Sequence, residues 1–287
     1  MRTRETAMRL IWIAYGAALI AAVLAGWAAA AAGYSEVVVA AVADAAATVV
    51  VFGYSVAYRN SSFYDAYWSV APPLIFAFWI FVGSGFDVRV GLAFVVVIAW
   101  AVRLTRNWAR GWTGLDHEDW RYVDLKAQSG KAYWFVNFFG IHFFPTVMVF
   151  IGCLPLWVVS TSYEPLNVWD GLAFAVGIGA VFIEWAADEQ LHRFRGERRD
   201  PAMVLDQGLW SRCRHPNYLG EILFWGSLGL FGWGAGGGIW VFIGFLLMLG
   251  MFTLITIPMI DKKMLKTKPT YEDYKDVTPT LLPKLRA

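Results

Sequence analysis

Apolar residues run through this chain in long blocks, and the polar ones gather between them. Eight blocks are long enough to cross a hydrocarbon core as helices: roughly 9–33, 36–58, 67–86, 89–105, 133–159, 168–188, 217–233 and 238–260. Pro72 and Pro73 predict a kink or a broken entry in the third. Trp and Tyr sit near the ends of many blocks, as interfacial anchors do.

The 24 Lys and Arg turn this pattern into a topology. With eight spans and a cytoplasmic N-terminus, every one of them except Arg89 falls on the cytoplasmic side, Arg2 and Arg286 included. Merging or losing one span scrambles that asymmetry. The predicted fold is therefore all-α, a polytopic membrane helix bundle of seven to eight transmembrane helices with N- and C-termini cytoplasmic. A mean hydropathy of +0.50 and a charged fraction of only 16% agree with it. The first block is too long for a cleavable signal peptide, and a second follows after a short turn. With no linker, repeat or low-complexity tract, residues 1–287 read as one integral membrane domain. Within it, 1–58 forms an N-terminal helical hairpin. Alanine- and valine-rich spans without sorting signals point to a bacterial inner membrane.

Composition and spacing also exclude. Cys153 and Cys213 lack metal-ligand spacing, and Cys213 is expected to be cytoplasmic and reduced. There is no glycine-rich dinucleotide fingerprint, P-loop or HExxH. No metal, nucleic acid or obligate protein partner is expected. Any cofactor must be held by the helices and by the polar segments 106–132, 189–216 and 261–287.

The richest chemistry lies in WSRCRHPNYLGEILFWG, residues 210–226. A helix beginning near Pro216 puts Asn217, Glu221 and Trp225 on one face. Hydrocarbon tolerates Asn and Glu poorly, so these residues point to a protein-lined pocket. Arg212, Arg214 and His215 at that helix's start suit an anion such as phosphate. Before it, Glu184, Asp188 and His192 recur on one helical face that rises toward Arg195. Carboxylates beside arginines suit a ligand carrying both hydroxyls and phosphates.

Other clusters are less specific. Arg103, Arg106 and Arg110 form a helical stripe that snorkelling explains as well as phosphate binding does. EDWRY, Glu118 to Tyr122, reads as a helix cap or loop latch. Tyr64, Asp65, Tyr67 and Trp68 fall where the chain re-enters the bilayer. A tyrosine beside a carboxylate there can polarise a carbonyl or deliver a proton. Asp44 lies inside the second block with no assigned role. In the tail, Tyr271 to Tyr274 fits a segment that folds back over a cofactor site.

Together these residues resemble the steroid 5α-reductase family and its bacterial relatives. The likeness runs from about Asp65 onward, covers the reductase-like region 66–287 and is strongest at 184–226. It rests on Asp188, Arg195, Asn217, Tyr218, Gly220, Glu221 and Trp225, and on the YEDY of Tyr271 to Tyr274. RHPNYLGE, Arg214 to Glu221, is also similar to the sterol C14 and C7 reductases. The resemblance implies NADPH-dependent reduction of a carbon–carbon double bond conjugated to a ketone, as in a 3-oxo-Δ4 steroid or another enone lipid. It implies a cytoplasm-facing cofactor site, mainly within 184–274, formed by Asp188, Arg195, Asn217, Tyr218 and Glu221 with Arg214 and His215; the pattern of the residues themselves adds Glu184, Arg103 and Tyr274. Trp225, Trp68 and Trp100 would line the substrate. Asp65 stands where the family has a Glu that polarises the ketone. The family's partner Tyr falls on Trp100, so either Tyr64 or Tyr67 would substitute or the substrate would differ. The family's C-terminal His is absent, and Lys262 or Lys263 is the nearest basic residue.

Two other classes compete. An S-adenosylmethionine-dependent methyltransferase of the isoprenylcysteine type also opens a membrane hairpin with an Arg-His-Pro-x-Tyr motif. A lipid-binding or scaffolding protein leaves Asn217, Glu221 and Glu184 without a reason.

Overall fold

A computed structural model describes residues 3–284. Arg2 and Arg286, counted in the charge asymmetry, lie outside the described residues. Among those described there is no strand, and every long apolar block is helical. The chain is a polytopic membrane helix bundle, as its hydropathy predicts.

Seven helical segments among the described residues are long and apolar enough to cross a membrane: Arg4–Ala31, Glu36–Tyr58, Ser61–Val82, Val88–Gly111, Trp120–Thr161, Val168–Glu197 and Ile239–Thr267. The eighth block forms a helix too, Pro216–Gly234, but is not among them. Its 19 residues include Asn217, Glu221 and five glycines, which lower its apolarity. The blocks also extend past their apolar limits. Polar ends at 106–111, 189–197 and 261–267 remain helical because they continue the backbone hydrogen-bond ladder into water.

The chain divides into two compact units, 1–163 and 164–287, where the sequence reads as a single domain. The division falls in a short segment between two helices, so no change of composition marks it.

In the first unit, α1 (Arg4–Ala31) and α2 (Glu36–Tyr58) form the predicted N-terminal hairpin. They approach closely because small residues face each other: a Cβ added at Gly26 would already touch the Ala43 Cβ at 3.4 Å. A short 3₁₀ turn at Ser61–Phe63 leads into α3 (Tyr67–Val82). Helix α3 continues through Pro72 and Pro73. After α4 (Val88–Gly111), a loop leads to α5 (Trp120–Ser129) and α6 (Tyr133–Asn137). A π-helical stretch, Phe138–Phe143, then joins α6 to α7 (Phe144–Thr161). The ladder widens there because Pro145 has no N–H to donate back to the preceding turn.

In the second unit, α8 (Val168–Glu197) starts at a capping box in which Asn167 and Asp170 satisfy each other's backbone donors. It packs along α9 (Pro216–Gly234). A last span follows as α10 (Ile243–Met251), a π-helical stretch at Phe252–Thr256 and α11 (Ile257–Thr267). Pro258 widens this turn as Pro145 does the other. The tail ends in α12 (Tyr271–Val277).

Candidate functional site

In the second unit, α9 begins at Pro216 as the motif predicts, so Arg214 and His215 stand immediately before it. Both are buried, as is Glu221. One acid holds the pair. Asp261 of α11 lies 3.2 Å from Arg214 Nη2 through Oδ2 and 3.1 Å from His215 Nε2 through Oδ1. Tyr271 of α12 donates its hydroxyl to the same Oδ1 at 2.5 Å. A buried guanidinium is tolerable only when paired and hydrogen-bonded, and this carboxylate does both. Sequence reading passed over Asp261 as the first residue of a basic tail. Its signal is weak, a single acid among lysines at the end of an apolar block.

The tail folds back over this cluster. Arg214 donates from its backbone N–H to Pro279 O at 2.8 Å and from Nη2 to Thr280 Oγ1 at 2.8 Å. Tyr274 donates to Trp210 O at 2.5 Å, and the backbone N–H of Lys284 donates to Arg212 O at 3.1 Å. Burial pushes the phenols of Tyr271 and Tyr274 above their ordinary range, and for Tyr271 the bond to Asp261 adds to this. The buried ammonium of Lys268 donates to Pro201 O at 3.1 Å and to Met203 O. Burial, with help from Arg198 and Arg195, holds it below its usual value.

On α9, Trp225 Nε1 donates to Glu221 Oε1 at 3.0 Å, one turn apart, so the predicted shared face exists. The Asn217 Oδ1 atom is buried with no hydrogen-bond partner among the described residues. Tyr218 stacks on His215 at 5.3 Å and meets Phe252 of the π-helical turn at 4.9 Å. Gly220 lets α8 approach: an added Cβ would collide with the Glu184 side chain and lie 2.8 Å from Ala180 O. Glu184 is buried, Asp188 half-buried on the same face, and Arg195 exposed at the helix end. A cavity of about 630 Å³ opens beside the cluster, with Arg214, Asp261, Lys262, Lys266, Lys275 and Thr280 in its wall.

The first unit holds the remaining candidates, with partners other than those foreseen. Tyr67 donates to Asp44 Oδ1 at 2.7 Å, and Tyr64 bonds Thr146 Oγ1 at 2.8 Å. Asp65 instead accepts from Tyr122 at 2.6 Å. Helix geometry explains the difference: Asp65 precedes α3, whereas Tyr67 begins it and turns toward α2. The EDWRY segment is the latch expected. Glu118 accepts from Ser61 N at 2.7 Å, and Asp119 caps α5 at Arg121 N at 2.8 Å. Asn60 adds bonds to Leu115 O and His117 O at 2.8 and 3.0 Å. Trp68 and Trp100 meet edge to face at 5.8 Å, Trp100 fully buried. Arg103 is half-buried on α4. Asn137 and His142, unnoticed within the fifth block, are fully buried and hydrogen-bonded to Ser61, Tyr133 and Ser55. Cys153 and Cys213 are both buried and not disulfide-bonded. No cluster of metal-ligating side chains occurs among the described residues.

The DUF1295 family, described as proteins of unknown function, matches residues 51–278, and the chain belongs to it. That family includes steroid 5α-reductase-like membrane proteins. An uncharacterized protein of the yeast Schizosaccharomyces pombe is 26% identical over 263 residues, covering 82% of this chain and 76% of its own length. No solved structure matches.

Proposed function

We propose that the chain is an NADPH-dependent membrane reductase that saturates the carbon–carbon double bond of a hydrophobic enone, such as a 3-oxo-Δ4 steroid. The observation that carries this reading is the buried polar cluster at the start of α9: Arg214 and His215 locked by Asp261, beside the partnerless Asn217 Oδ1. A polar network of this kind is costly to bury and is retained where a polar ligand completes it.

The residues present fit the cofactor. A carboxamide NH₂ would satisfy Asn217 Oδ1. Lys262, Lys266 and Lys275 in the cavity wall, with Arg214 behind them, suit phosphates. Arg195, Asp188 and Glu184 supply further contacts along α8. When bound, NADPH supplies a hydride for the β-carbon of the enone and leaves as NADP⁺.

The chain's own work is to orient the cofactor and wall its site. Tyr218, stacked on His215, walls the polar cluster, and Trp225 fixes the Glu221 carboxyl. Within the first unit, Asp65, expected beside Tyr64 or Tyr67, takes its tyrosine from Tyr122, whose hydroxyl it accepts at 2.6 Å. One proton from solvent at the α-carbon balances the reduction. The enzyme would reside in a cell membrane with the cofactor site facing the cytoplasm, and the substrate would enter from the lipid.

The test is ligand-induced thermal stabilisation of the detergent-purified protein by NADPH and by S-adenosylmethionine in parallel. Stabilisation by NADPH, lost in Asn217→Ala and Arg195→Ala, is expected. Stabilisation by S-adenosylmethionine alone would overturn the hydride mechanism in favour of methyl transfer.

A further inference from the structure

A second cavity lies wholly within the first unit, enclosed by α1, α2 and α3, and has a volume of about 330 Å³. That is at the lower end of the range for small-molecule sites. Its wall is aliphatic and aromatic apart from three polar side chains, Tyr15, Asp44 and Tyr67. Leu19, Val23, Trp27 and Leu74 at its rim are exposed, which on spanning helices means exposed to lipid.

The three polar groups are not equivalent. Tyr15 donates its hydroxyl to Phe63 O at 2.9 Å. Tyr67 donates to Asp44 Oδ1 at 2.7 Å. Asp44 is 6% exposed, and its Oδ2 is buried with no hydrogen-bond partner among the described residues. No Lys, Arg or His lines the cavity. A carboxyl oxygen left bare at this depth costs a spanning helix several kcal/mol in general and is kept where something completes it.

We propose that this cavity binds a lipophilic alcohol, a sterol or long-chain type, whose hydroxyl pairs with Asp44 Oδ2 and whose hydrocarbon body fills the space between α1, α2 and α3. The protonation chemistry of a carboxyl group selects the hydroxyl. An alcohol donates to a carboxylate and accepts from a carboxylic acid, so it satisfies Oδ2 in either state. A ketone or ether serves only the acid, and an ammonium serves only the carboxylate. Tyr67 fixes the other oxygen, so the carboxyl plane is set before the ligand arrives. The site is independent of the reductase reading and uses none of the residues assigned to the cofactor.

The experiment uses the full chain in lipid nanodiscs and a diazirine-bearing long-chain alcohol, with labelled residues mapped by mass spectrometry. Labelling is expected on α1 and α3 around Ala22, Val70 and Leu74. The unlabelled alcohol should displace it about ten-fold better than the matched methyl ether or ketone. Asp44→Val should reduce labelling by a similar factor. Because that variant removes a buried polar contact, Ala22→Phe serves as a second test: it fills the cavity from α1 without touching Asp44 and should also abolish labelling. Equal competition by ether or ketone, or undiminished labelling of Ala22→Phe, would overturn the proposal.

Discussion

Replacing Gly220 with alanine tests whether the contact between α8 and α9 has been read correctly. A single methyl at this position meets the Glu184 side chain, Ala180 O at 2.8 Å and Glu184 N at 3.1 Å. Two of these three are backbone atoms of a helix, which cannot rotate out of the way. Ordinary contact begins near 3.4 Å, so the carbonyl must retreat by about 0.6 Å, and with it the turn of α8 that carries Glu184. Overpacking of this kind costs about 1–3 kcal/mol. The intrinsic helical preference of Ala over Gly returns up to about 1 kcal/mol. A net loss of about 1–2 kcal/mol is expected. Gly179→Ala on α8 is the matched control, since nothing lies within 4 Å of its Cβ and only the propensity gain applies. Both are measured by equilibrium unfolding in mixed micelles with increasing dodecyl sulfate, followed by tryptophan fluorescence. A Gly220→Ala variant as stable as Gly179→Ala would refute the close approach. The deduction that Gly220 serves to bring Glu184 against α9 would fall with it.

Removing the carboxylate that locks Arg214, with Asp261→Asn, should destabilise the second unit by about 3 kcal/mol, because a buried guanidinium loses its counter-charge. Limited proteolysis at Lys275 should then accelerate, and an unchanged cleavage rate would count against the lock. Tyr271 and Tyr274 have phenols raised above their ordinary value of 10.0, so the stability they contribute is intact below that pH and lost as pH climbs beyond it. Ultraviolet difference titration of Tyr271→Phe/Tyr274→Phe against the parent should show no missing tyrosinate just above pH 10, and a deficit of two there would contradict their burial. Tyr122→Phe leaves the Asp65 carboxyl without its hydroxyl donor and should destabilise the first unit by about 1–3 kcal/mol in the same unfolding assay, and an unchanged midpoint would contradict the bond.

The helices were legible because a spanning helix must be apolar along its whole length, a signal that needs no knowledge of partners. The α9 motif was legible for the opposite reason: Asn217 and Glu221 sit where hydrocarbon forbids them, and their spacing of four identifies the face. What could not be read was which polar group meets which. Asp65, Tyr64 and Tyr67 are neighbours in the chain, yet a helix start between them sends Tyr67 to Asp44, Tyr64 to Thr146 and Asp65 to Tyr122. Each partner comes from a distant segment, and nothing in a run of four residues encodes that choice. Asp261 was missed for the same reason. Its value lies in touching Arg214, His215 and Tyr271 at once, a property of three segments and not of its own surroundings.

The basic residues before α9 and around the end of the last span show how a topological signal and a site can occupy the same positions. Counted as charges, they serve membrane orientation equally. By their contacts they separate. Arg214 and Lys268 are buried and consumed by internal acceptors, Asp261 and Thr280 for one, backbone carbonyls for the other. Lys262, Lys266 and Lys275 line the open cavity beside them. An anion entering that cavity would therefore meet exposed ammonium groups backed by a buried guanidinium, whose own charge Asp261 already balances. Neutralising the three lysines should weaken anion binding and leave the fold intact, whereas neutralising Arg214 should loosen the tail itself. Orientation in the membrane requires only the sum of these charges. Their contacts divide them into buried and cavity-facing sets, and that division is what Asp261, Tyr271 and the returning tail create.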